Sequence, residues 1–97
     1  MSAITARKVK VEGNKLYIST LFPNFLITRD VITEFKIGKV PSLFDEIGIE
    51  LKCGKTFLIT ERISGFFDVA KFLRVEDAFG PLWYRDVEDG RLLEQTC

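Results

Sequence analysis

The spacing of apolar residues changes along the chain from alternation, which is typical of β-strands, to a helical period near residue 64. Residues 55–60 (KTFLIT) read as a strand, and the sequence after a short break reads as a helix over residues 64–74. The apolar positions of this helix fall at i, i+3, i+4 and i+7: Phe66, Val69, Ala70 and Leu73. They share one face of the helix, and Ser64 stands where an N-cap belongs. The pattern predicts a helix that packs this stripe on a curved sheet.

The first predicted hairpin turns at Gly13 and Asn14. Both residue types tolerate positive φ, which a two-residue hairpin loop requires. The loop predicts three cross-strand pairs: Glu12 with Lys15, Val11 with Leu16, and Val9 with Ile18. Opposite charges then meet beside the turn and the apolar residues share one face, so the predicted register is self-consistent.

Three more strands are predicted before the strand at residues 55–60. Residues 25–28 form the first, Arg29 and Asp30 make a tight turn, and residues 31–37 form the second. Four residues of the second strand are expected to share one face: Val31, Thr33, Phe35 and Ile37. Residues 44–52 form the third, in which apolar and polar residues again alternate.

The connection between residues 44–52 and 55–60 is predicted to be a three-residue loop. A two-residue turn would place Phe57 opposite Glu50. A loop from Lys52 to Gly54, with Gly54 in the left-handed region as a bulge, avoids this mismatch. The pairs predicted by the bulge are Ile49 with Phe57 and Ile47 with Ile59.

The segment after the helix permits two structures. Residues 75–81 read as a connector, and Pro81 then opens a short helix that ends at Gly90. Alternatively, Asp89 and Gly90 form a hairpin turn with three pairs: Glu88 with Arg91, Val87 with Leu92, and Arg85 with Glu94. Two of these pairs join opposite charges, which favours the hairpin.

These elements predict a mainly β fold. A single antiparallel meander of about six strands, strongly bent or barrel-like, is capped by one helix and followed by a C-terminal hairpin or short helix. Residues 1–97 are expected to form one domain, with an N-terminal tail at 1–5 and a C-terminal extension at 76–97. A chain of 97 residues, 46% of them hydrophobic, is long enough to build its own core.

The formal net charge is zero, but the two signs are unevenly distributed. Residues 1–40 carry seven basic and three acidic residues, and the remainder carries seven and eleven. A nucleic-acid binder usually has a basic surplus overall, so no nucleic acid is expected as a partner. No run approaches the ~20 apolar residues that span a bilayer, and the N-terminus lacks the apolar region of a secretion signal. The predicted location is cytoplasmic.

Motifs for catalysis are missing from the sequence. The chain contains no histidine, the commonest general base near neutral pH. Glu46 and Glu50 are expected to be solvated charges on an open face rather than a catalytic carboxylate pair. Residues 48–56 have the composition of a phosphate loop, but five residues separate the two glycines where the motif has four, and a strand follows where the motif requires a helix. No enzyme activity is therefore expected.

No metal site or cofactor is expected either. Asp86, Glu88 and Asp89 have neither the spacing of a calcium loop nor its closing glutamate. Cys53 and Cys97 are too few and too far apart for a zinc site or a disulfide framework. Cys53 lies at a turn, and nothing in its sequence context indicates a lowered pKa or special reactivity.

Two sets of residues are candidates for binding. Phe67 lies off the apolar stripe of the helix, and Leu82, Trp83 and Tyr84 follow a proline; exposed aromatic residues concentrate binding energy at interfaces. Alternatively, the tail folds back and covers Phe67. The second set consists of basic residues in and before the first hairpin, which are candidates for anion binding: Arg7, Lys8, Lys10 and Lys15.

Two segments resemble the bacterial pleckstrin-homology-like (PH-like) domains. The segment from Leu26 to Ile32 resembles the turn between the third and fourth strands of that family, and the segment from Phe66 to Leu73 resembles its capping helix. The resemblance implies a bent sheet capped at its open end by a helix. The chain has one predicted strand fewer than the usual seven and continues beyond the helix. Lipid-binding members carry basic residues on both strands of the first hairpin, whereas the second strand here offers only Lys15.

Two functions follow as hypotheses. The first is a small protein-interaction or assembly module, either a homodimer to whose interface residues 79–97 contribute or a module that binds another protein. The second is a domain that binds an anionic ligand or a membrane surface through the basic first hairpin. The salt dependence of binding distinguishes the two hypotheses. Added salt screens charges and so weakens binding to an anionic ligand or membrane, whereas it leaves association through an apolar interface largely unchanged.

Overall fold

The computed structural model describes residues 3–21, 23–40 and 46–96. Its strands are β1 (Ile4–Thr5), β2 (Lys8–Glu12), β3 (Lys15–Ser19), β4 (Asn24–Thr28), β5 (Glu34–Lys39), β6 (Ile47–Cys53), β7 (Lys55–Thr60) and β8 (Leu93–Thr96). Its helices are α1 (Phe66–Phe72), α2 (Val75–Phe79) and α3 (Trp83–Glu88), and a 3₁₀ turn covers Arg29–Val31. The predicted start of a strand at residue 44 and the terminal Cys97 lie outside the described residues.

The strands form two sheets, so the predicted single meander is wrong, while the mainly β class is confirmed. One sheet has the order β1-β7-β6-β5-β8 and the other has the order β2-β3-β4. β1 runs parallel to β7, and the other pairs are antiparallel. The two sheets do not close into a barrel within the described part of the chain. Ile4 and Thr5, in the predicted tail, form β1.

The chain passes from the three-stranded sheet back to the five-stranded sheet at the 3₁₀ turn, which also corrects the strand predicted for residues 31–37. β5 begins only at Glu34, and Ile32 is buried where Val31 is exposed. Only Phe35 and Ile37 keep the predicted inward face. The turn is held to the end of α1 by Arg29, which donates a hydrogen bond to the carbonyl of Phe72 and stacks 4.8 Å from its ring centroid. A local strand pattern does not reveal this long-range contact.

The first hairpin has the predicted register, with all three pairs in place. In the β6–β7 hairpin, Gly54 has the predicted positive φ of 86°, but the register is shifted by two residues. The observed pairs are Leu51 with Phe57 and Ile49 with Ile59. A shift of two keeps every side chain on its face, so apolar patterning does not distinguish the two registers. The observed register gives Leu51 an apolar partner.

Helix α1 is shorter than predicted and begins differently. Phe66, Val69 and Ala70 of the stripe are buried, but Leu73 is only half-buried and lies beyond the last helical residue. Ser64 is not the N-cap. Gly65 occupies that position with a φ of 98°, and no side chain of a described residue caps the helix by a hydrogen bond.

The C-terminal segment corrects two more predictions. α2 replaces the connector at residues 75–81, and α3 with β8 replaces the favoured hairpin. Trp83 and Val87 are four apart on α3, and both are buried with Leu93 of β8. Burying each such side chain stabilises by ~1.5–3 kcal/mol, whereas exposed ion pairs contribute ~0–1 kcal/mol. Burial of Trp83, Val87 and Leu93 therefore outweighs the exposed charge pairs on which the predicted hairpin depended.

Candidate functional site

The structure brings together three of the four aromatic and apolar residues predicted to bind. Phe67 on α1 lies 6.4 Å from Trp83 and 5.6 Å from Tyr84, measured between ring centroids. We call these three residues the aromatic cluster. Trp83 is buried at 8% exposure, whereas Phe67 is 52% exposed. The tail therefore folds back against Phe67 without hiding it, and exposed Leu82 stands at the start of α3.

A groove of about 330 Å³ opens beside this cluster and is lined by all three helices. We call it the helical groove. Its buried lining residues are Ala70, Val75 and Trp83, and the exposed Phe67 also lines it. The exposed lining residues carry charges of both signs: Lys71, Arg74, Glu76 and Asp77. The groove thus combines apolar side chains with a balanced charged margin.

Arg74 shapes the corner between α1 and α2. Its φ of 55° is the only positive value among described residues other than glycine. This left-handed residue separates α1 from α2, which begins at the next residue. This conformation is costly for an ordinary residue, so it is retained because packing on either side fixes the corner. Val75 next to it is fully buried.

Glu61 fixes the position of α3 relative to the sheet. One carboxylate oxygen accepts a hydrogen bond from the Tyr84 hydroxyl at 3.1 Å, and the other accepts one from the Ile47 backbone N–H at 2.9 Å. Burial and the bond to Glu61 both raise the pKa of Tyr84, burial being the larger cause. The role of Glu61 is not predictable from the sequence, because an acidic residue at a strand end carries no signal for a partner 23 positions away.

The predicted anion-binding lysines share one surface. Lys8, Lys10 and Lys15 alternate with buried positions on β2 and β3 and point away from the core. We call this surface the outer face of the three-stranded sheet. It also carries Tyr17, which pairs with both Lys10 and Leu26. Arg7 is exposed just before β2, and its backbone N–H donates to the carbonyl of Ser19 at 2.7 Å.

Charge on the outer face is only partly neutralised. Lys10 forms an ion pair with Glu12 at 3.2 Å, and both side chains are exposed. Tyr17 and Leu26, which were not among the predicted binding residues, add an apolar centre to this face; Leu26 is 56% exposed. Their outward positions in the alternation of β3 and β4 were the available signal.

The residues considered for catalysis and metal binding make separate contacts in the structure. Glu46 pairs with Arg62 at 3.1 Å, while Glu50 lies on β6 opposite Lys36. Asp86 pairs with Arg91 at 3.6 Å. Burial raises the pKa of the Cys53 thiol, which lowers its thiolate fraction near neutral pH. Within the described ranges, no three potential metal-ligating side chains come together.

Among the residues that the structure describes, no helix has both the length and the apolar character needed to cross a membrane. Comparison with known protein families, curated proteins and solved structures found no match to this chain. Function is therefore inferred from the surfaces described above.

Proposed function

We propose that this protein is a small protein-interaction module that receives an apolar side chain of a partner protein in the helical groove. The supporting observation is the 52% exposure of Phe67, a large apolar ring on a helix whose other face is buried. Trp83 and Tyr84 contact the ring and hold it at the edge of the groove. A ring that is already positioned loses little conformational entropy when it binds.

The margin of the groove indicates the chemistry of the partner. Lys71 and Arg74 supply positive charge, and Glu76 and Asp77 supply negative charge. Charged groups at the rim of an interface set orientation and association rate more than affinity. The preferred partner is therefore a segment with an apolar or aromatic anchor flanked by charges of both signs.

Selection of random peptides displayed on phage tests this proposal, because the displayed peptides themselves stand in for the partner. Peptides enriched on the wild-type protein should share an apolar anchor. They should bind Phe67→Ser at least about 30-fold more weakly, since a central anchor contributes ~2 kcal/mol or more. Leu92→Ser is the matched control, because Leu92 is similarly exposed but does not line the groove. Failure to enrich peptides, or equal binding to Phe67→Ser, would overturn the proposal.

A second candidate function is binding to an anionic membrane surface through the outer face. The observation that favours it is the arrangement of Lys8, Lys10 and Lys15 around Tyr17 on one exposed surface. Basic residues near an anionic bilayer contribute ~1 kcal/mol each. Tyrosine is suited to the headgroup region because its ring is apolar and its hydroxyl is polar.

Pelleting with vesicles that contain phosphatidylserine tests this second function. Replacing Lys8 and Lys15 together by Gln should weaken binding by roughly fivefold per lysine, and added salt should weaken the wild type as the Debye length shortens. Replacing the exposed Lys39 and Lys71 by Gln is the control, since neither lies on the outer face. Equal pelleting of both double variants would contradict a role for this surface.

A further inference from the structure

Strand β4 has an edge to which no described strand is paired. It lies at the margin of the three-stranded sheet, and its one neighbour among the described strands is β3. Its residues, Asn24 to Thr28 (NFLIT), carry no charge. Native proteins usually protect an exposed edge with charged side chains, prolines or a very short strand.

The other sheet margins do show such protection. β2 carries Lys8, Lys10 and Glu12, β8 carries Glu94, and β1 has only two residues. Among the described strands at a sheet margin, β4 is thus the one that is neither charged nor very short. A largely apolar cleft of about 440 Å³ lies beside it, and its lining includes Phe25, Ile27 and Phe57. Lys55 also lines this cleft, with its Nζ 4.9 Å from the centroid of the Phe25 ring.

The hydrogen-bond pattern determines which backbone groups of β4 point outward. The Thr20 N–H donates to the Pro23 carbonyl at 3.3 Å, and the Ser19 carbonyl accepts from Arg7 on the β2 side. Antiparallel ladders alternate between hydrogen-bonded and non-hydrogen-bonded pairs. The backbone N–H and C=O groups of Asn24, Leu26 and Thr28 therefore point away from β3.

We propose that β4 pairs with β4 of a second copy of this chain, antiparallel and about a two-fold axis at Leu26. In this register Leu26 faces the second copy's Leu26, and Asn24 faces the second copy's Thr28. Asn24, Leu26 and Thr28, whose backbone N–H and C=O groups point away from β3, lie symmetrically about Leu26. In this register each of these backbone groups therefore faces a backbone group of the second copy that also points away from its β3. The result is a continuous six-stranded sheet. This interface goes beyond the proposed function, which concerns the helical groove.

The side chains and charges agree with a second copy as the occupant. Phe25 would lie opposite the second copy's Ile27, so each copy adds apolar surface beside the other's cleft. On the outer face, Tyr17 and Leu26 would form one stripe with their symmetry mates. The two Lys10 side chains would stand five strand spacings apart, about 24 Å, which exceeds the Debye length of ~8 Å at physiological salt. Like charges therefore oppose the pairing only weakly.

Cysteine cross-linking tests the proposed register directly. In a Cys53→Ser, Cys97→Ser background, Leu26→Cys would place two thiols on a hydrogen-bonded antiparallel pair, with Cα atoms about 5.5 Å apart. This separation lies within the range of a disulfide, ~4.4–6.8 Å. Tyr17→Cys is the control on the neighbouring strand, where the two thiols would be about three strand spacings apart, ~14 Å.

Mild oxidation should convert Leu26→Cys to a covalent dimer at least about tenfold faster than Tyr17→Cys, because only the first pair lies within disulfide reach. Equal rates would overturn the proposal.

Sedimentation provides a second test. At about 100 µM, in the range of weak specific complexes, the wild type and Tyr17→Lys should dimerise and Leu26→Lys should be monomeric.

Two further results separate this interface from the helical groove. Phe67→Ser should dimerise as the wild type does if β4 forms the interface. A wild type that remains monomeric at this concentration and does not cross-link through Leu26→Cys would overturn the β4 interface while leaving peptide binding in the groove unaffected. Leu26 is 56% exposed, so both of its variants should fold.

Discussion

Gly65 shows how a single residue joins α1 to the three-stranded sheet. Its φ is 98°, and a Cβ atom at this position would lie 2.7 Å from the carbonyl oxygen of Val9 on β2. Gly54 has a similar φ of 86°, but a Cβ atom there would meet no atom within 4 Å. Both positions have a positive φ, which favours glycine, but only at Gly65 would a Cβ atom come too close to a neighbouring atom.

This difference predicts the order of two alanine substitutions. Gly54→Ala should reduce the free energy of unfolding by ~1 kcal/mol, the cost of a left-handed conformation for a residue with a Cβ atom. Gly65→Ala should reduce the free energy of unfolding by ~1–3 kcal/mol more than Gly54→Ala does, because the backbone must also move to relieve the contact with Val9. Urea titrations of both variants would measure the two losses. Equal losses would mean that the start of α1 adjusts freely.

At the scale of elements, α3 is positioned by the hydrogen bond from Tyr84 to Glu61. Tyr84→Phe should reduce the free energy of unfolding by ~0.5–1.5 kcal/mol near neutral pH, since it leaves a half-buried carboxylate with one bond fewer. Tyr17→Phe, on the exposed outer face, should change it by less than ~0.5 kcal/mol. Denaturant titration distinguishes these outcomes, and similar losses would mean that Glu61 does not hold α3.

The burial of Tyr84, together with its bond to Glu61, predicts a dependence on alkaline pH. The folded protein raises the pKa of Tyr84, chiefly by burial, so the folded state binds this proton more tightly than the unfolded state does. The stabilisation is complete below the unfolded pKa of about 10 and is lost as pH rises through the folded pKa. The difference in stability between wild type and Tyr84→Phe should therefore narrow above about pH 10. A constant difference would contradict the assigned cause.

Local elements were predictable from the sequence, and long-range arrangements were not. The Gly13–Asn14 hairpin was correct because its turn and its pairs lie within a dozen residues. The β6–β7 register was wrong because two registers bury the same residues. β8 was missed because its partner strand, β5, lies far away in the sequence. For the candidate site, Phe67 and the outward lysines followed from periodicity, whereas Glu61 and the edge of β4 required the tertiary structure.

For the whole molecule, the segment after α1 is part of the core. Trp83, Val87 and Leu93 are buried, and β8 provides a second neighbour for β5. A chain that ends at Val75 should therefore lose cooperative unfolding, since three buried side chains contribute together on the order of 5–9 kcal/mol, which approaches the whole stability of a small domain. Leu92→Ser, at an exposed position, should keep a cooperative transition. Thermal circular dichroism compares the two, and an unchanged midpoint in the shortened chain would contradict this role.

The late arrival of β8 has a consequence for synthesis on the ribosome. Ile37 of β5 pairs with Leu93, which is translated 56 residues later. At ~5–20 residues per second, the interval lasts roughly 3–11 s. During this time β6 is the only described strand available to β5, and the outer margin of β5 is open to other nascent chains. Glu34, Lys36 and Lys39 are spaced along this strand. Their charges protect β5 against aggregation until β8 has been synthesised and pairs with it.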